Sequence, residues 1–352
     1  MTELPGVDLA ALTRWLDAAK PGMRAGDLSG AVIAGGKSNL TYRITDGAST
    51  WALRRPPLAH VLPTAHDMVR EWRVISALQG TAVPVADAVA LCEDKDVLGA
   101  PFYLMGFVDG VVFDQAGVLD ALTADQAARA CELLMDTLVD LHEVDPAPVG
   151  LADFGRPEGF LARQVRRWTS QWQASETQPR EQLAPTVDLL NSTMPEQSAP
   201  SIVHGDYRLT NVMFAPAEGS SRPEHVIGDR IAAVVDWEMA TLGDPLTDVG
   251  LLVVYQDLAA ESDSVMPLMT PAAGFLTTEQ MVQRYEQRSP RDLTHLDWYT
   301  AFGYFKLAVV SEGIHNRYLA GKTVGEGFGH FGDSVPRLLT NALELLAGRR
   351  PA

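Results

Sequence analysis

Cysteine is nearly absent from this sequence: Cys92 and Cys131 are the only two in 352 residues, far apart and each in an apolar context. These two argue against a disulfide framework and favour a reducing compartment, with both thiols expected as small buried hydrophobes. Basic residues are also scarce, with 28 Lys and Arg against 45 Asp and Glu and a formal net charge of -17. A sequence-independent grip on nucleic acid requires clustered cations, so nucleic acid is not an expected partner. Long apolar runs are missing too. The best candidate, "YTAFGYFKLAVV", is short and contains Lys306, so no membrane partner is expected. The stretch "MTELPGVDLAALTRWLDAAKPG" lacks the basic region and apolar core of a signal peptide. Apart from His204, the histidines show no zinc-binding spacing with cysteine or with one another. What is there, 46% apolar and 21% charged residues, fits an ordinary soluble, cytoplasmic globular chain, and its length favours two lobes over one core.

Periodicity divides the chain unevenly. Leu9, Leu12, Trp15 and Leu16 fall at helical spacing. "GAVIAGGKSNLTYRITDGASTWALRRPP" then reads as three strands of an antiparallel meander, with a glycine-rich loop at the first turn. "PTAHDMVREWRVISALQG" supplies a helix, with Thr64 expected as its N-cap and Gly80 as its stop, and two more strands follow, the second ending near Met105. From about residue 120 helices dominate, beginning with "TADQAARACELLMDTLVDLHEV", where Thr123 and Gln126 form a capping box. The expected class is α+β: a small sheet lobe over residues 1–105 and a larger, mostly helical lobe over residues 106–352. One strand-rich interruption, "SIVHGD", "NVMFA" and "RIAAVVDWE", carries polar residues at its strand ends.

That interruption holds the densest chemistry. "HGDYRLTN" places Asp206 in a loop after an apolar strand, Arg208 two positions on and Asn211 five positions on, while Asp236 ends the apolar run "IAAVV". Phosphoryl transfer from ATP needs donors over the phosphates, a cation paired to them, oxygen ligands for Mg²⁺ and a carboxylate near the incoming hydroxyl. Asp206 suits the last task, Asn211 and Asp236 offer hard oxygen ligands, and Arg208 could neutralise charge on the transferring group. The parts occur in the order that a protein-kinase-like fold requires.

"HGDYRLTN" with "VVDWE" resembles the catalytic loop and metal motif of the aminoglycoside phosphotransferase and choline kinase family, relatives of protein kinases. "DLHEVDPAPVGLADFGRPEGFLARQVRRW" and "DWEMATLGDPLTDVG" resemble the branch found fused to acyl-CoA dehydrogenases, and the likeness runs from "GGKSNLTYR" to about Tyr318. The resemblance implies a two-lobed kinase-like fold using ATP and Mg²⁺, with Asp206 as base, Asn211 and Asp236 as metal ligands, and Gly36, Ser38 and Asn39 in the loop over the phosphates. It also implies that Arg54 takes the place of the phosphate-pairing lysine, partnered by Glu71. Arg55 is a rival for that role, since strand alternation turns only one of the two inward. No "APE" segment follows Asp236, which argues for a small-molecule hydroxyl over a protein as acceptor, with a hydroxyacid or hydroxyacyl compound favoured over an antibiotic.

Several features carry plainer readings. His204 is expected to hold its loop by hydrogen bonds, and Asp244 and Asp248 to cap a helix start. Glu71 could equally be a solvated helix charge. "GEGFG" lacks the preceding strand of a dinucleotide fingerprint and reads as a loop. Trp168, Trp172, Trp298, Tyr299 and Phe302 are expected first of all in the core, with a wall of the substrate pocket as the alternative. The rival function is an ATP-binding pseudokinase or sensing module that performs no transfer.

Overall fold

The computed structural model describes residues 4–33, 39–58, 67–113, 118–218, 226–260, 273–322 and 328–349. Helix α1 (Leu9–Ala19) starts where the Asp8 carboxylate accepts from the amides of Ala10 and Ala11, and it buries Leu12 and Leu16 one turn apart. The sheet consists of β1 (Ser29–Val32), β2 (Leu40–Thr45), β3 (Thr50–Arg55), β4 (Ala88–Cys92) and β5 (Phe102–Gly106). It is antiparallel throughout, in the order β1-β2-β3-β5-β4. Between β3 and β4 runs α2 (Met68–Ala77), and α3 (Lys95–Leu98) is a single turn between β4 and β5. The N-cap of α2 is Asp67, whose carboxylate accepts from the Arg70 amide, and not Thr64, which lies outside the described residues.

Period-two alternation assigns the two faces of this sheet. Trp51 and Leu53 on β3, with Phe102 and Leu104 on β5, pack with Leu12 and Leu16 in one buried cluster. Tyr103 turns the other way, into a larger cluster that continues through α2 into the helices. Arg54 pairs directly with Tyr103 in the β3–β5 register, so it shares that inner face.

The remainder comprises α4 (Val118–Ala121), α5 (Ala124–His142), α6 (Phe160–Ser175), α7 (Leu183–Ser192), α8 (Leu246–Ala260), α9 (Thr278–Arg288), α10 (Leu296–Leu319) and α11 (Phe331–Leu346). The Thr123–Gln126 capping box opens α5 as the sequence suggests. Between α7 and α8 lie β6 (Ser201–Val203), β7 (Val212–Pro216), β8 (Ile227–Val234) and β9 (Thr241–Gly243), paired as β6–β9 and β7–β8. Helices α8 and α10 are apolar around most of their circumference and approach closely, because Gly250 of α8 offers no Cβ; one placed there would lie 2.4 Å from the Tyr299 carbonyl carbon of α10. Cys92 and Cys131 are free and buried. Among the described residues no helix is long and apolar enough to cross a membrane.

Candidate active site

β6 delivers the chain into "HGDYRLTN". Gly205 has φ +86, and a Cβ there would lie 2.8 Å from Cβ of Met239, so this turn both needs the left-handed region and passes close to the segment after Asp236. Asp248, buried on the first turns of α8, accepts from the backbone amides of His204 and Gly205, each at 2.7 Å. It is therefore a clamp on this loop and not the helix cap expected of it. Asp244 does cap α8, accepting from the Leu246 amide at 3.1 Å. Burial disfavours the Asp248 charge, but His142, 3.4 Å away, and the loop amide outweigh it and hold its carboxyl below the usual range. His142 itself is pushed down by burial. His204 bonds the Val235 carbonyl oxygen at 3.0 Å and serves the loop, as anticipated.

Both oxygens of Asp206 are held. The Tyr255 hydroxyl of α8 donates to Oδ1 at 2.5 Å, and the Asn211 amide donates to Oδ2 at 2.9 Å. The Asn211 Nδ2 also reaches the Asp206 carbonyl at 2.8 Å, so its own Oδ1 is turned away. Burial and the neighbouring Asp206 raise the Tyr255 hydroxyl well above an ordinary phenol, keeping it a donor. Arg208 Nε lies 3.6 Å from Asp206 Oδ2, with its guanidinium 5.1 Å from the Tyr255 ring centre. On the other side, Lys306 of α10 donates to the Gly205 carbonyl at 2.5 Å.

Asp236 is adjacent in space, because the Val235 amide donates to the Asn211 carbonyl at 2.9 Å. Its φ of 67° makes it the one non-glycine with positive φ among the described residues, a conformation more often kept at functional positions than elsewhere. Arg54 joins it to the sheet: Nε meets Glu71 Oε2 at 2.8 Å and Nη2 meets Asp236 Oδ1 at 2.6 Å. Glu71 is buried and also accepts from Tyr103 Oη at 2.9 Å and Asn39 Nδ2 at 2.7 Å, so the solvated-charge reading does not hold. Burial works against the Arg54 charge, yet Glu71, Tyr103 and Asp236 outweigh it and hold the guanidinium above its ordinary range. Arg55 faces the opposite side and donates to the carbonyls of Gly6 and Leu98. Gly36 and Ser38 lie outside the described residues; Asn39 is buried, and its side-chain carbonyl oxygen has no hydrogen-bond partner among the described residues.

Three side chains here were not anticipated. Glu238 lies 3.3 Å from Asn39, and burial, with Asp236 and Glu71 adding, raises its carboxyl to about 7. Its place in "DWE", two positions past Asp236, was the available signal. For Tyr255 no local pattern offered one. Lys306 was visible as a lone cation in an apolar run. Among the described residues no three His, Cys, Asp or Glu side chains form a ready metal cluster. Mg²⁺ does not require one, since it keeps waters and takes phosphate oxygens beside one or two protein ligands.

The phosphotransferase enzyme family model matches residues 29–267, a span that runs from β1 past Tyr255 and leaves out Lys306. The chain belongs to that family. A Ralstonia eutropha JMP134 protein described as a candidate aminoglycoside phosphotransferase is 32% identical, with 98% of this chain and 99% of that one covered and a TM-score of 0.82. At 15% identity, the aminoglycoside phosphotransferase APH(4)-Ia, solved with AMP-PNP and hygromycin B, shares the fold with a TM-score of 0.61 over 96% of this chain and 99% of that one. The fold is therefore the kinase-like one of aminoglycoside phosphotransferases. Acyl-CoA dehydrogenase family member 11 of Mus musculus is 31% identical over 96% of this chain and 43% of its own length. The chain spans less than half the length of the curated relatives it matches.

Proposed function

We propose that this family member is a small-molecule kinase that moves the γ-phosphate of ATP to a hydroxyl, with residues 1–105 holding the nucleotide and residues 106–352 supplying the base and the acceptor site. The convergence of Asp206, Asn211 and Asp236 with the Arg54–Glu71 pair carries the reading. Asp206 takes the hydroxyl proton as the acceptor oxygen bonds to the γ-phosphorus and the bond to ADP breaks. Tyr255 and Asn211 fix the carboxylate for that transfer. The Asn211 Oδ1 and the Asp236 carboxylate would hold Mg²⁺, a donor set of hard oxygens that suits it. When bound, the ion neutralises charge on the phosphate oxygens. Arg54, steadied by Glu71, is aimed at the same place and binds phosphate bidentately. Arg208, beside the base, offsets charge on the transferring group. Gly36, Ser38 and Asn39 belong to the loop over the phosphates.

For the acceptor we favour a hydroxyacid or hydroxyacyl thioester over an antibiotic, because acyl-CoA dehydrogenase family members carry the related segment. Mg²⁺-dependent ATP consumption across hydroxyacids, hydroxyacyl thioesters, choline-like alcohols and kanamycin tests both statements. Acceptor-stimulated turnover is expected, falling about 10²–10⁴-fold in Asp206→Ala with ATP still bound. Turnover favouring kanamycin would overturn the acceptor reading. Bound ATP with the same flat background in both proteins would mean a nucleotide-binding module and no kinase.

A further inference from the structure

Lys306 sits in the middle of α10, with Phe305, Leu307 and Ala308 buried around it. Placing an ammonium in such a run is costly, so packing alone would favour an apolar residue there. Burial indeed lowers its pKa, against the pull of Asp206 and Asp248. Its Nζ donates to the Gly205 carbonyl at 2.5 Å, one peptide unit from Asp206, and lies 5.4 Å from the Trp168 ring centre on α6. An ammonium has three donors, and among the described residues that carbonyl is the one acceptor it has.

Asp206 and Asp248 attract this ammonium through space but give it no hydrogen bond, because their oxygens are committed to other donors. Asp206 is held by Tyr255 and Asn211, and Asp248 by the His204 and Gly205 amides. Asp257, two residues beyond Tyr255, accepts from Thr278 at 2.9 Å and Tyr304 at 3.4 Å. Further positive charge comes from Arg167 on α6, which opposes the Lys306 ammonium, and from Arg208 on the Asp206 loop. An acceptor ammonium brought to the Lys306 Nζ would be repelled there, whereas an anionic oxygen would take up its remaining donors.

We infer that Lys306 is the specificity-determining residue of the acceptor site, and that it takes an anionic oxygen, a carboxylate, which the acceptor carries alongside its hydroxyl. This rests on the phosphotransferase reading above. The ammonium, backed by the Trp168 ring and the Gly205 carbonyl, holds the carboxylate end while the hydroxyl reaches Asp206. A charge-assisted bond in this partly enclosed place discriminates against a neutral acceptor of the same shape.

The test compares short hydroxyalkanoates, the matching hydroxyamides, and alkanoates lacking the hydroxyl, by calorimetric binding in the presence of AMP-PNP and by turnover where a hydroxyl is present. Wild type is expected to bind both acids about tenfold or more tightly than the amide. Lys306→Met should weaken acid binding to the amide's level, and Lys306→Arg should keep the preference, with AMP-PNP affinity and Tm as controls for folding. If Lys306→Met melts early, Lys306→Gln supplies the same comparison. Equal acid preference in wild type and the neutral variants would overturn the assignment, as would a wild type that binds acid and amide alike or binds neither. Charge-selective binding lost with Lys306 but accompanied by no phosphoryl transfer would count against the kinase reading alone.

Discussion

Glu71 accepts from Asn39, Arg54 and Tyr103 at once, and its 2% side-chain exposure means that none of these donors is replaceable by bulk water. Removing one partner of a buried ion pair leaves the other charged and unpaired, which costs about 3–5 kcal/mol. Arg54→Met should therefore lower stability by an amount of that order in denaturant unfolding, and Arg54→Met with Glu71→Leu by less. Glu238 gives a pH-dependent counterpart. Its carboxyl is raised from an ordinary 4.5 to about 7, so the folded state holds its proton more tightly than the unfolded chain does. That contribution to stability is fully present below about pH 4.5 and is lost as pH rises towards 7. In metal-free buffer, Tm measured across this window should decline more in wild type than in Glu238→Gln. Sequence spacing could say that Arg54 and Arg55 point to opposite faces. Which face meets Glu71 depends on cross-strand pairing with Tyr103, a contact about fifty positions away that no local pattern encodes.

Short elements were the least legible. β9 has three residues and no alternation to detect, and its pairing with β6 is visible only once both flank the same turn. Asp248 looked like a cap because it stands near the start of α8; whether a carboxylate meets its own helix or another loop is decided by the tertiary path. Long periodic helices, and α5 with its capping box, were readable from the sequence. Asp248→Ala would strand two amides, each at about 1–3 kcal/mol if left unsatisfied. Such a variant should melt lower and lose turnover together. Gly205→Ala should lose turnover as well, since its Cβ would collide with Met239 while the residue is held at φ +86. Gly250→Ala would push α8 and α10 apart at Tyr299, displacing the helices that carry Tyr255 and Lys306. Raised acceptor KM at near-unchanged ATP KM is the expected kinetic outcome.

At the scale of the molecule, the α+β class was legible because strand-period segments crowd the first hundred residues and helix-period segments dominate after residue 120. Two side-chain pairs, Arg54–Asp236 and Asn39–Glu238, tie the five-stranded sheet to the segment that follows β8. The first pair means that an internal arginine already neutralises the carboxylate proposed as a magnesium ligand. Free metal must compete with that cation, whereas metal arriving with a polyphosphate offers the guanidinium a new anion in exchange. Mg²⁺ and nucleotide should therefore bind synergistically, each weak alone and each strengthening the other by the same factor. Calorimetric titration of Mg²⁺ with and without AMP-PNP measures that factor directly, and Arg54→Met should reduce it by raising the affinity for the lone ion.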